Sequence, residues 1–278
     1  LPPVILKEIE FKDGDILDDY LLQKICTGKE IVFHLAALIS IPYSYLAWPS
    51  FIRVNIEGTG KVLNACRYAG VQKVVTTSTS EVYGTAWYTP MDEKHPLQGQ
   101  SPYSATKIGA DKLAESFYCS YGIPVSIARP FNVYGERQSA RAITPMIISQ
   151  ILLKGRLELD LSRNPIRDFT HASDTARGFM AVAEHGEPGG VYNIGRGAGI
   201  TIRDLAEKIS VIMEYTGGIT EDPQRARPVK SEVLELICDN RKIRTLGWEP
   251  YIDLDCGLSW VVNYMRNHPG YYSGDFEV

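Results

Sequence analysis

The segment Tyr103-Ser104-Ala105-Thr106-Lys107 sets a phenol and an ammonium four residues apart. On a helix that spacing places the two side chains on one face, a turn apart. A free tyrosine ionises near pH ~10, so bringing it to neutrality takes roughly 4 kcal/mol. A positive charge ~4 Å away, at an effective dielectric of ~20, supplies about that much. An oxidised nicotinamide would add a second positive charge. The pair could then form a phenolate that takes the proton from an alcohol while hydride leaves the same carbon. A Tyr and a Lys one turn apart also occur by chance on exposed helices, so the setting decides.

Upstream lies Thr77-Ser78-Thr79-Ser80-Glu81-Val82-Tyr83-Gly84. It follows an apolar run that reads as a strand, 74–78. In open α/β sheets, ligands gather outside the carboxyl ends of the strands. The hydroxyls of Thr79 and Ser80 and the carboxylate of Glu81 would then face the same pocket as Tyr103. Ser and Thr also serve as turn residues, and a loop acid can simply be solvated. Arg137, Arg141, Arg167 and Arg227 lie in the carboxyl-terminal half, and guanidinium forks suit phosphate oxygens.

These residues need a frame. Runs at 31–35, 74–78 and 125–129 read as buried strands, alternating with helical patterns. One helix covers 58–68 and is closed by Gly70. Another starts at Ser101-Pro102, with serine as cap and proline in the first turn, and runs to about Tyr121. Shorter helices are predicted at 144–153, 173–184 and 201–214. The pattern predicts an α/β protein: a Rossmann-like doubly wound parallel sheet with a smaller C-terminal substrate-binding lobe. Residues 1–132 would form the NAD-binding domain. Residues 133–278 would form mainly the lobe, with some segments returning to the large domain.

The chain has 278 residues, 44% hydrophobic and 22% charged, which suits a globular core and not a disordered or fibrous protein. A net charge of -4 gives no general attraction to nucleic acid. Cys26, Cys66, Cys119, Cys238 and Cys256 show no CxxC and no metal spacing. They read as reduced thiols of a cytoplasmic protein. No apolar run approaches a membrane span of ~18 residues, and no signal peptide is visible. His34 and His171 read as core histidines, and the glycines of 195–199 as a structural loop before a helix capped by Thr201. No metal site and no GxSxG nucleophile motif is found.

Three motifs carry a resemblance: Thr79 to Gly84, Tyr103 to Lys107, and Arg129-Pro130-Phe131-Asn132-Val133-Tyr134-Gly135. In order and spacing they resemble the extended short-chain dehydrogenase/reductase (NAD-dependent epimerase/dehydratase) family over nearly the whole chain. Asn55 resembles the family's internal asparagine. Residues 81–85, 92–97 and 137–142 are similar to bacterial UDP-N-acetylglucosamine 4,6-dehydratases of the legionaminic-acid type.

The resemblance implies NAD as cofactor, with Asp15 and Ile16 at the adenine end. It also places Leu35, Ala36, Ala37, Ser78, Tyr103, Lys107 and Arg129 along the cofactor. Ser80, Asn132, Arg137, Arg141, Arg167 and Arg227 would face the nucleotide-sugar substrate. Thr79, Glu81, Tyr103 and Lys107 would be catalytic. The family's glycine-rich phosphate turn is absent, and the resemblance implies that it lies ahead of Leu1. Ser80 stands where dTDP-glucose dehydratases carry an aspartic acid, so the acid for the leaving water is unassigned.

The implied reaction converts a UDP-hexose, UDP-N-acetylglucosamine first among them, to a 4-keto-6-deoxy sugar nucleotide. UDP-glucuronate decarboxylation and nucleotide-sugar 4-epimerisation are the rival activities. A catalytically silent NAD-binding regulator is the rival of another class. The helices from Gly58 and Pro102 resemble those that pair in family homodimers.

Overall fold

A computed structural model of the chain describes residues 7–221, 228 and 230–272. Its centre is a four-stranded sheet of β1 (Ile31–His34), β2 (Lys73–Thr77), β3 (Val125–Pro130) and β6 (Val191–Ile194). All neighbours are parallel, in the order β1-β2-β3-β6. Val74 and Val75 are both fully buried, as expected of a sheet covered on both faces. Successive residues point to opposite sides. Val74 and Ile127 pack under the helices α1 (Asp19–Cys26), α2 (Thr59–Ala69) and α3 (Pro102–Tyr121). Val75 and Ala128 pack instead against Phe179 and Val182 of α5 (Ala172–His185).

Local signals set the helix ends. The Asp18 side chain accepts from the Leu21 amide at the start of α1. Ser101 and Ser104 form a reciprocal capping box at the start of α3. Gly70 and Gly122 end α2 and α3 at φ 66° and 68°, conformations that cost a glycine little.

A second sheet follows after one residue. β4 (Asn132–Tyr134), β5 (Ile166–His171) and the two-residue β8 (Glu235–Leu236) run parallel in the order β8-β5-β4. β7 (Gly199–Thr201) joins β5 antiparallel. The helices α4 (Ile143–Ser149), α6 (Ile202–Ile212) and α7 (Leu254–Asn267) cover this sheet, around a core that includes Ile147, Phe169, Leu205 and Leu258. Where one helix is predicted over 144–153, α4 gives way to a wider π-helical turn, Gln150–Lys154. Residues of α5 and β6 return to the first sheet, so the lobe is interrupted in sequence.

The loop at 195–198 is held from below. Asp168 accepts from the amides of Arg196 at 3.0 Å, Gly197 at 2.8 Å and Cys238 at 3.2 Å. These amides are therefore engaged inside the protein. Thr201 caps α6 by accepting from the Asp204 amide. No helix among the described residues is long and apolar enough to cross a membrane.

Candidate active site

The capping box fixes where α3 starts, and so which of its residues face the sheet. Tyr103, Lys107 and Asp111 fall four apart on that inward face, and all three are buried. Lys107 donates from Nζ to the Thr77 carbonyl at 2.5 Å, at the carboxyl end of β2. The Thr79 hydroxyl lies near enough to Tyr103 to oppose the rise in its pKa, and the Phe51 ring meets the tyrosine ring edge-on at 6.2 Å. Thr79 also caps the short 3-10 turn Ser80–Tyr83 by accepting from the Glu81 amide at 3.3 Å. Glu81 is half-buried, close enough that its charge is felt at the phenol.

The electrostatics correct one expectation. Tyr103 is pushed up to about 12 by burial, with Glu81 and Asp111 adding and the Thr79 hydroxyl opposing. Burial also draws the Lys107 ammonium down from its ordinary range, against the pull of Asp111. Burial therefore keeps the phenol protonated, and Lys107 is not among the groups that move it. A bound cationic group beside it would act in the opposite sense to burial.

The ends of β1 and β2 offer such a group a seat. Leu35 and Ala36 are exposed just beyond β1, with Ala37 half-buried beside them. The Thr77 hydroxyl is buried without a partner. These walls and this donor fit the nicotinamide and ribose end of a dinucleotide. Asn55 secures the loop after β1: its side chain bonds the Leu38 amide and carbonyl and the Thr106 hydroxyl. His34 bonds Thr59 at 3.0 Å. Burial pushes it down to about 4, with Lys107 adding, so it is a neutral core residue.

Asp15 is exposed and turns its carboxylate to the Leu17 amide, while Ile16 packs with the core under α1 and α2. Ser78 is buried and donates to Asp111 at 2.8 Å. Arg129 spends its guanidinium inward, on Asp111 and on the Tyr83 hydroxyl.

On the substrate side, Asn132 Oδ1 is buried without a partner. Ser80 is only 3% exposed. Arg167 is buried and paired with Glu232 at 3.1 Å. Arg137 and Arg141 are exposed on the loop before α4, with Arg137 at φ 65°. Arg227 lies outside the described residues. His171 caps α5 and faces Glu136 at 3.3 Å.

Sequence reasoning missed Asp111, Tyr83 and Asn193. Only Asp111 carried a signal, its four-residue step beyond Lys107.

A family model described as GDP-mannose 4,6 dehydratase matches residues 3–260. A dTDP-glucose 4,6-dehydratase of Streptomyces griseus is 33% identical over 94% of this chain and 79% of its own length. Among solved structures, a dTDP-glucose 4,6-dehydratase from Streptomyces venezuelae with NAD bound superposes at a TM-score of 0.88. It is 31% identical and covers 94% of this chain and 80% of that one. A UDP-glucose 4-epimerase from Thermotoga maritima with UDP-glucose also gives 0.88, at 28% identity over 94% of this chain and 85% of its own. Buried Tyr103 and Lys107 beside Thr79 and Glu81, at the tips of a parallel sheet, sit on a framework these proteins share. The chain belongs to the GDP-mannose 4,6 dehydratase family, within the extended short-chain dehydrogenase/reductase group of sugar-nucleotide dehydratases and epimerases.

Proposed function

We propose that the protein is an NAD-dependent 4,6-dehydratase acting on a UDP-hexose, UDP-N-acetylglucosamine first among them. The observation that carries this is that Thr79 and Glu81, on one short turn, both act on the buried Tyr103 phenol. A 4-epimerase needs the tyrosine and the hydroxyl but has no use for a carboxylate at that place.

Leu35, Ala36 and Ala37 would hold NAD, which would supply hydride acceptance from C4 and hydride return at C6 after water has left. The chain's own residues handle the protons. Tyr103 accepts the proton of the sugar 4-hydroxyl, and Thr79 holds the same oxygen. The resulting 4-ketone makes the C5 hydrogen acidic, and Glu81 removes it. Ser80 is buried and a poor acid, so Glu81, once protonated, is the group that returns a proton to the departing C6 hydroxyl. Lys107 keeps positive charge under the phenol. Asn132, Arg137, Arg141, Arg167 and Arg227 face the nucleotide diphosphate in this reading. Asp15 and Ile16 lie toward the adenine end of the cofactor.

Two copies pair through α2 and α3, and the free thiols suit the cytoplasm. The described cysteines are all unpaired, which supports the second point. Sedimentation as a monomer at micromolar concentration would overturn the first.

Incubation with UDP-N-acetylglucosamine tests the activity. A product lighter by one water, with a C6 methyl group, is expected. Carbon dioxide released from UDP-glucuronate, or a bare C4 epimer, would move the assignment to those reactions. No change in any nucleotide sugar would favour a silent cofactor-binding regulator.

A further inference from the structure

A buried polar chain runs under the site without touching any proposed reacting group except through its ends. Asp111 Oδ2 accepts from Ser78 Oγ at 2.8 Å and from Arg129 Nε and Nη2 at 3.1 and 2.9 Å. Arg129 Nη1 donates to the Tyr83 hydroxyl at 3.1 Å, and its guanidinium lies 5.2 Å from that ring. The Tyr83 hydroxyl donates onward to Asn193 Oδ1 at 2.6 Å. Asn193 is held in turn by the Met91 carbonyl and by Glu93. Asp111, Arg129, Tyr83 and Asn193 are all buried.

Ser78 and Tyr83 are the two ends of the segment that carries Thr79 and Glu81. Both ends are fastened to one ion pair, and one member of that pair sits a turn beyond Lys107 on α3. Apolar side chains of equal volume would fill the space with as much stability. What they would not supply is direction. Hydrogen bonds of set length tie the loop bearing the carboxylate to the helix bearing the phenol.

We propose that Asp111 and Arg129, with Tyr83, are positioning residues that hold Glu81 and Thr79 in register with Tyr103 and Lys107. The ion pair acts as a two-point anchor. Loosening either point lets the segment drift while the helix stays in place. The inference rests on the dehydratase reading for its kinetic arm only.

Tyr83→Phe is the sharpest test, since it deletes one hydroxyl and keeps the ring. A displacement on the order of 1 Å lowers turnover by about a hundredfold, so kcat should fall between about tenfold and a hundredfold. KM should stay near wild type. Tm should fall only by the modest amount that unpairing Arg129 Nη1 and Asn193 Oδ1 costs, and the amides of residues 78–84 should exchange faster with deuterium. Asp111→Asn should act in the same direction, with a larger effect on exchange. Wild-type kcat together with wild-type exchange in Tyr83→Phe would overturn the proposal. So would a loss of kcat that merely follows a loss of Tm, which marks a packing role. Should the wild type turn over no nucleotide sugar, the dehydratase reading falls and the exchange experiment alone decides on the anchor.

Discussion

Lys107 spends a proton on the Thr77 carbonyl at 2.5 Å, which fixes its ammonium at the tip of β2 rather than on the phenol oxygen. The phenol is governed instead by burial, with Thr79 opposing and Glu81 and Asp111 adding. In the cofactor-free protein burial prevails, and the phenol is pushed up to about 12.

The first prediction concerns that phenol. Because its folded pKa is raised, it favours the protonated state. Its contribution to stability is present below about pH 10 and is lost as pH rises through about 12. Ultraviolet titration of wild type against Tyr103→Phe should show no extra phenolate at neutral pH without cofactor. A difference signal below about pH 9, well under the ordinary tyrosine value, would contradict it.

Removing the acid–base pair should stop the reaction and spare the fold. Tyr103→Phe and Lys107→Met should each lower kcat by about 10²–10⁴-fold, the usual reach of a general base. Circular dichroism and Tm check that the proteins remain folded. Turnover close to wild type in Tyr103→Phe would remove the proposed mechanism.

Glu81→Gln should separate the two halves of the reaction. Oxidation at C4 needs Tyr103, whereas exchange at C5 needs the carboxylate. In heavy water the variant should incorporate deuterium at C5 about 10²–10⁴ times more slowly. Mass spectrometry of recovered nucleotide sugar measures this. Unchanged incorporation would assign the C5 proton to another group.

The sheet was legible because β2 and β3 are buried on both faces, and such strands read as unbroken apolar runs. The caps of α3 were legible because Ser101, Pro102 and Gly122 each have one strong positional preference. β5 escaped notice for the opposite reason. Arg167, Asp168, Thr170 and His171 break the apolar pattern of a strand, yet all four are buried there. The π-helical turn after Ser149 also left no trace, since a widened turn changes the backbone and not the apolar pattern. Asp111 lies one four-residue step beyond Lys107, but its partners Ser78 and Arg129 are distant in sequence and no spacing announces them.

His34 makes stability sensitive to acid. Its pKa is pushed down to about 4 by burial, so its contribution is full above about pH 6.5 and is lost as pH falls toward 4. Between pH 7 and pH 4.5 that loss is on the order of 2–3 kcal/mol. Asp168, pushed up to about 6 by burial, works in the opposite sense across part of this range. Denaturant melts of His34→Gln beside wild type isolate the histidine. A gap between the two that does not change with pH would refute the assignment.

Asp168→Asn should destabilise the protein by about 2 kcal/mol, the cost of setting an amide donor against a buried donor. Three backbone amides now point at this carboxylate, and either orientation of asparagine opposes at least one. Chemical denaturation reads the difference. A variant as stable as wild type would mean that the 195–198 loop is held by other contacts.

Phe131 alone separates β3 from β4. Its amide still bonds the Ile194 carbonyl of the first sheet at 2.9 Å, while Asn132 is already paired with Phe169 in the second. A single residue thus passes the chain from one sheet to the other, with backbone pairing on both sides of it. The first sheet takes back Val191–Ile194 and the helix Ala172–His185 from later in the chain, so a cut at this seam would leave the leading fragment without one strand and one helix of its own layers.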